Sequence, residues 1–203
     1  MANEKNNKMF SPLPPESRFS IPNVITVIRF VGSLVFFMLA IVKMNPTYNY
    51  IGLIIHYIGD MADGNWARFF KQETILGAEI DIIADRVEFL MFYSIFLIFN
   101  PELVIPVALF MVNFAFIDFY LSYQFPKFGL ISINHFNRVD QIVYKLNFSF
   151  LGKPINTVVI TFTLIFLPQF WLFAAVFAVG LIVVKSYSIY RLFQLEPYKR
   201  QGT

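Results

Sequence analysis

The chain has 203 residues, 57% of them hydrophobic and 14% charged, with 26 phenylalanines and a net charge of +3. A water-soluble domain of this size carries about 25% charged residues, so the polar surface needed to stay in water is missing. With no cysteine there is no disulfide framework, no thiolate metal site and no cysteine nucleophile.

Residues 1–20 are polar and proline-rich, lack the apolar stretch of a secretory leader, and read as a short cytoplasmic arm. A bilayer core of about 30 Å takes roughly 20 apolar residues as helix. Six segments qualify: 21–43, 48–71, 74–99, 101–124, 152–167 and 169–194. Pro22 suits the first turn of a helix, and Asn45-Pro46, Asn100-Pro101 and Pro168 punctuate the rest. Between the fourth and fifth segments, FPKFGLISINHFNRVDQIVYKLNFSFLGK mixes apolar and basic residues and reads as an amphipathic stretch on the membrane surface. The expected fold is therefore all-α and integral to a membrane. Six transmembrane helices form one domain over 21–194, and 195–203 form a cytoplasmic tail.

Lysine and arginine set the expected orientation. They gather in the N-terminal arm, in the turn after the second segment (Arg68, Lys71), in the 4–5 connection and in the tail, while the opposite loops offer Lys43 alone. Both termini and the 2–3 turn are placed on the cytoplasmic side.

Four aspartates interrupt this apolar pattern in DMADGNWARFFKQETILGAEIDIIADR, residues 60–86. The second and third segments are joined by a short turn and should run antiparallel. Folding them near position 72 sets Asp60 level with Asp85 and Asp63 level with Asp81. At about 100° per residue, Asp60, Asp63, Gly64 and Ala67 share one face, and Gly77, Asp81 and Asp85 share the facing one. Four unpaired carboxylates in such a groove repel and are costly to bury. One or two divalent cations relieve both problems, and hard oxygen ligands suit Mg²⁺ or Mn²⁺. An all-carboxylate site with open positions suits phosphate substrates. Gly64, Ala67 and Gly77 leave room for a ligand or allow close helix packing, and Arg68 is a phosphate partner at the mouth. A cation transporter using the same carboxylates is the alternative. His56 and Glu88 lie one turn beyond Asp60 and Asp85 and should also be level, which predicts contact between them. Asp118 and Arg86 are further buried-looking charges without an assigned partner.

The pattern Asp60-x2-Asp63-Gly64-x2-Ala67-Arg68-x8-Gly77-x3-Asp81-x3-Asp85 resembles the signature of the CDP-alcohol phosphotransferases, matching all its fixed positions, and PNVITVIR at 22–29 is similar to their first helix. The resemblance implies a six-helix membrane enzyme, a homodimer working at the cytoplasmic face, here of a bacterial cytoplasmic membrane. It implies cleavage of a CDP-linked donor with release of CMP and transfer to an alcohol. Carried onto this chain, it gives Asp60, Asp63, Asp81 and Asp85 to two Mg²⁺ or Mn²⁺ ions, with Asp85 also the base. It gives Gly64, Ala67, Arg68, Thr74 and Gly77, with Asn23 and Thr26 nearby, to the CDP moiety.

The chain's length favours CDP-diacylglycerol as donor and a small polar alcohol as acceptor, glycerol phosphate or inositol phosphate foremost. Transfer from CDP-choline or CDP-ethanolamine to diacylglycerol is the runner-up. A phosphorylated acceptor needs cations, and Arg138, Lys145, Lys153 and Lys185 are the candidates. Lys185, inside the sixth segment, serves equally to snorkel to the interface. Arg138 and Lys145 serve equally to meet anionic headgroups. The lipid bilayer is the expected surrounding, and no nucleic-acid partner is expected.

Overall fold

A computed structural model describes residues 20–195, so the expected N-terminal arm and most of the expected tail lie outside the described residues. The chain is helical from end to end of that range. Helix α1 spans Ile21–Val42, α2 Pro46–Phe69 and α3 Ile75–Phe99. A 3₁₀ turn, Pro101–Leu103, leads into α4, Val104–Val112, which continues as a π-helical stretch, Asn113–Asp118, into the short α5, Phe119–Ser122. Short helical turns follow, including α6 at Gln141–Val143 and a second π stretch at Tyr144–Phe148. The long helices α7, Gly152–Phe166, and α8, Trp171–Phe193, complete the chain.

The helix starts follow from local chemistry. Ser20, Asn45 and Thr74 each turn a side-chain oxygen back onto a first-turn backbone N–H, and Pro22 and Pro46 stand where no N–H is needed. Between α2 and α3 the chain reverses in five residues, with Lys71 in the left-handed region at φ 53°. This short turn imposes the antiparallel hairpin expected from the sequence.

Four helical stretches among the described residues are long and apolar enough to cross a membrane: Ile21–Val42, Pro101–Phe128, Gln141–Phe166 and Pro168–Phe193. Helices α2 and α3, at 24 and 25 residues, have the length but carry the acidic residues that set them apart from this group. The expectation of six spans is thus met by composition for four.

Burial in α1 is the reverse of that in a soluble protein. The helix buries Asn23, Thr26, Arg29 and Ser33 and exposes Val24, Val27, Ile28, Val31, Val35 and Met38. That pattern makes sense where lipid, not water, meets the outer face.

The main core joins α1, α3, α4, α7 and α8 through Phe37, Phe89, Phe92, Tyr93, Phe110 and Ile160, among others. Tyr93 places its hydroxyl 2.8 Å from Thr161 Oγ1, which satisfies the one polar atom its ring brings inside.

The 4–5 connection departs from expectation. Phe125, Phe128, Leu130, Phe136, Val143 and Phe148 form a second core with Ile82, Leu121 and Leu192. The connection also leaves Ile142, Leu146, Phe150 and Leu151 exposed. Phe136 stacks on Phe148 at a centroid separation of 4.7 Å. Four of the segment's five phenylalanines pack against the bundle, and Phe150 is exposed.

Polar contacts pin this connection over the α2–α3 turn. Glu73 accepts from Ser132 at 3.3 Å and Asn134 at 3.4 Å, and its other oxygen lies 3.3 Å from His135 Nε2. The His135 contact holds the Glu73 carboxyl below its ordinary 4.5, against the opposing pull of burial. A carboxyl whose pKa falls on folding stabilises the fold above its unfolded value, and that contribution is lost as pH drops through the folded value. Glu73→Gln should therefore lower the melting temperature at pH 7, and its gap from wild type should close as pH falls below about 4.5. A gap that stays constant from pH 7 to pH 3.5 would show that the charge on Glu73 is not what pins the loop.

Candidate active site

The α2–α3 hairpin does bring the aspartates together, and α1 supplies a third wall that the hairpin argument did not include. Helix α1 packs along both α2 and α3, and its buried polar stripe meets their acidic faces. Thr26 donates to Asp63 Oδ2 at 2.7 Å. Arg29 reaches between the carboxylates: Nη1 lies 3.4 Å from Asp60 and 4.0 Å from Asp63, and Nη2 lies 3.3 Å from Asp81, 3.0 Å from Asp85 and 3.4 Å from Glu88. Ser33 donates to Glu88 through a short contact. His56 Nδ1 lies 2.9 Å from Glu88 Oε2, the contact expected from their level positions on the hairpin.

The acidic groups form two clusters with ligand-like spacing. Asp60, Asp63 and Asp81 each offer an oxygen within 4.8 Å of one another, and so do His56, Asp85 and Glu88. Arg29 bridges the two clusters: its Nη1 faces Asp60 and Asp63, and its Nη2 faces Asp81, Asp85 and Glu88.

The first group fits a hard divalent cation. Its donors are all carboxylate oxygens, two from α2 and one from α3, Asp63 is buried and oriented by Thr26, and Asp60 and Asp81 are half-exposed, which leaves a way in. Asp85 stands beside this group across Arg29. Among the described residues these are the acidic clusters with ligand-like spacing.

The remaining candidates separate clearly. Thr74 caps α3, with its hydroxyl accepting from Gly77 N at 2.9 Å. A Cβ at Gly77 would stand 2.7 Å from Asn23 Oδ1 and 2.8 Å from Thr74 Oγ1, so a larger residue there would push these two polar side chains aside. Arg68 is exposed and donates to Asn65 at 3.0 Å, one turn from Gly64 on the same end of α2 as the aspartates; Ala67 is half-buried beside it. Lys153 donates to Asn134 Oδ1 at 2.7 Å and lies within the electrostatic reach of Asp60, Asp81 and Asp85. Arg138 and Lys145 are exposed on the 4–5 connection.

Lys185 is a correction. It neither snorkels nor faces open space: it is fully buried and donates to Asp118 through a short contact. Asp118 also receives Arg86 Nη2 at 2.5 Å, and the Arg86 guanidinium lies 3.9 Å from the centroid of Phe114. The charges at 86, 118 and 185 thus form one internal triad.

Comparison with known proteins bears on the same residues. A family model described as CDP-alcohol phosphatidyltransferase matches residues 19–186, which include all of α1, α2 and α3. The chain belongs to this family. A CDP-diacylglycerol–glycerol-3-phosphate 3-phosphatidyltransferase of Cereibacter sphaeroides is 29% identical over 121 residues, covering 57% of this chain and 55% of the relative. The chain therefore spans about half the length of the curated relative it matches. No solved structure matches.

Within this chain, sequence reasoning found the aspartates but missed Arg29 and Ser33. The signal was present: Asn23, Thr26, Arg29 and Ser33 recur at helical spacing along an otherwise apolar first helix. An arginine inside a lipid-facing helix needs an anionic partner, and the aspartates of α2 and α3 were the obvious ones.

Proposed function

We propose that this chain transfers a phosphatidyl group from CDP-diacylglycerol to glycerol phosphate, releasing CMP, in a reaction that depends on Mg²⁺ or Mn²⁺. The observation that carries this reading is the meeting of Asp60, Asp63 and Asp81 beside Asp85 in a chain of this family. The relative's activity on CDP-diacylglycerol and glycerol 3-phosphate supports the choice of donor and acceptor. Both points favour phosphatidyl transfer over cation transport.

Asp60, Asp63 and Asp81 hold the metal, with Asp85 completing a site for two ions. Divalent ions, when bound, supply positive charge opposite the transferring phosphate and the departing CMP. Asp85 takes the proton of the acceptor hydroxyl, a role open to a carboxylate within hydrogen-bond reach of it. Gly64, Ala67, Arg68 and Gly77 face the CDP moiety, with Asn23, Thr26 and Thr74 behind them. Lys153, held by Asn134 near the acidic groups, is the best placed cation for the acceptor's phosphate, with Arg138 and Lys145 further out. Direct displacement needs no protein nucleophile, so the lack of cysteine is no obstacle.

The same reading takes all six long helical segments across a bacterial cytoplasmic membrane, with the acidic site at the cytoplasmic face and two copies forming a homodimer. The burial of α1's polar stripe and the basic residues near the α2–α3 turn support this arrangement.

The test is release of CMP by purified protein given CDP-diacylglycerol and a panel of glycerol 3-phosphate, inositol phosphate, glycerol, inositol and serine. Glycerol 3-phosphate should support turnover, EDTA should abolish it, and Mg²⁺ or Mn²⁺ should restore it. CMP formed only from CDP-choline or CDP-ethanolamine with diacylglycerol would reassign the substrates. Equal use of the neutral alcohols would remove the acceptor-phosphate site.

A further inference from the structure

Arg29 is almost fully enclosed in the acidic site. Its side chain is 1% exposed, yet it lies within 4.0 Å of five different carboxylates. Asp81 and Asp85 take hydrogen bonds from its Nη2. Its Nε and Nη1 are buried without a well-formed hydrogen bond, so the guanidinium spreads its charge among the acids and is not locked in a bidentate fork with one of them. A guanidinium is always charged in a protein and cannot relieve crowding by losing a proton.

The stem of Arg29 has a built seat. A Cβ at Gly59 would stand 2.3–2.6 Å from Cβ, Cγ and Cδ of Arg29, which only the bare backbone of glycine permits. Gly59 immediately precedes Asp60, so the residue that starts the acidic pattern on α2 follows the one that admits the cation.

We infer that Arg29 is a tethered counter-cation of the acidic site: it holds the carboxylates of α2 and α3 together in the metal-free protein and competes with divalent metal for their oxygens. This inference rests on the metal reading proposed above. It follows from charge and space. A divalent ion and a guanidinium among the same carboxylates repel each other, and in a buried site that repulsion is weakly screened. Metal binding therefore includes the cost of displacing or crowding the guanidinium. In return, the site stays assembled without metal, when four aspartates and Glu88 would otherwise repel across the hairpin.

The experiment uses full-length protein in detergent and two readouts, Mn²⁺ affinity and melting temperature with and without Mn²⁺. Three forms are compared: wild type, Arg29→Met, which keeps a stem of similar bulk without the charge, and Gly59→Ala, which displaces the stem and keeps the charge. Arg29→Met should melt lower than wild type without metal, bind Mn²⁺ at least tenfold more tightly, and gain more melting temperature from it. Gly59→Ala should shift both readouts in the same direction by less. A purely structural arginine would lower the melting temperature and leave Mn²⁺ affinity unchanged, and that result overturns the inference, as does weaker binding by Arg29→Met. If Arg29→Met does not fold even with Mn²⁺ present, Gly59→Ala decides by the same criteria. A wild-type protein that binds no Mn²⁺ defeats the metal reading itself, an outcome distinct from intact wild-type binding that the variants fail to tighten.

Discussion

Asp81→Asn is expected to cut CMP release by a factor on the order of a hundred to a thousand while the protein remains folded. Asp81 is the α3 member of the group it forms with Asp60 and Asp63, the other two coming from α2. On the proposed metal reading, its loss would leave Asp85 as the one aspartate of α3 facing the Asp60–Asp63 side of the groove. Asparagine keeps the size of the side chain and an oxygen for Arg29, but loses the charge that a hard cation requires. Stability should not fall with activity, because Asp81 is half-exposed and one of five acids crowded around Arg29. Losing one charge relieves repulsion. The check is turnover in saturating Mg²⁺ beside a melting curve of the same preparation. Turnover within tenfold of wild type would remove Asp81 from the metal site.

Asp118→Asn is expected to do the reverse, striking stability before chemistry. Asp118 closes the π-helical stretch between α4 and α5 and is the shared anion of Arg86 and Lys185. Its loss leaves two cations inside with no counter-charge. Removing one partner of a buried ion pair costs about 3–5 kcal/mol, a large share of the stability of a domain this size. Adding Lys185→Met to Asp118→Asn should recover part of the loss, since it removes one stranded charge and fills the space with an apolar side chain of similar length. Melting temperatures of the single and double variants measure both effects. A single variant as stable as wild type would mean that the triad has other partners.

Much of the helical framework was legible because proline and capping residues mark it. Pro22, Pro46, Pro101 and Pro168 all stand at the start of helical segments. The His56–Glu88 contact was legible too, because a short turn between antiparallel helices leaves little freedom in register. Arg29 was harder to see. The first helix declares itself by hydrophobicity, and the stripe that matters is a minority of its residues. Lys185 was misread because its partner Asp118 is 67 positions away, on a segment with no short turn to fix their relation. The inward fold of the 4–5 connection was hidden for a similar reason. Four of its phenylalanines pack against Ile82, Leu121 and Leu192 from remote parts of the chain, and an amphipathic sequence does not say whether its apolar side meets lipid or protein.

The arginine in α1 also bears on how such a chain enters a bilayer. A helix with one arginine at its middle is penalised by about 2.5–3.5 kcal/mol when it partitions into lipid by itself, and a central aspartate is penalised similarly. Helix α1 carries the cation, and the next two helices carry the anions that neutralise it. Each is a poor solitary inserter; once they are together, the arginine offsets part of the acidic charge. The order of segments along the chain thus favours integration of these three as a unit, so that the acidic groove and the means of inserting it are one arrangement of charge.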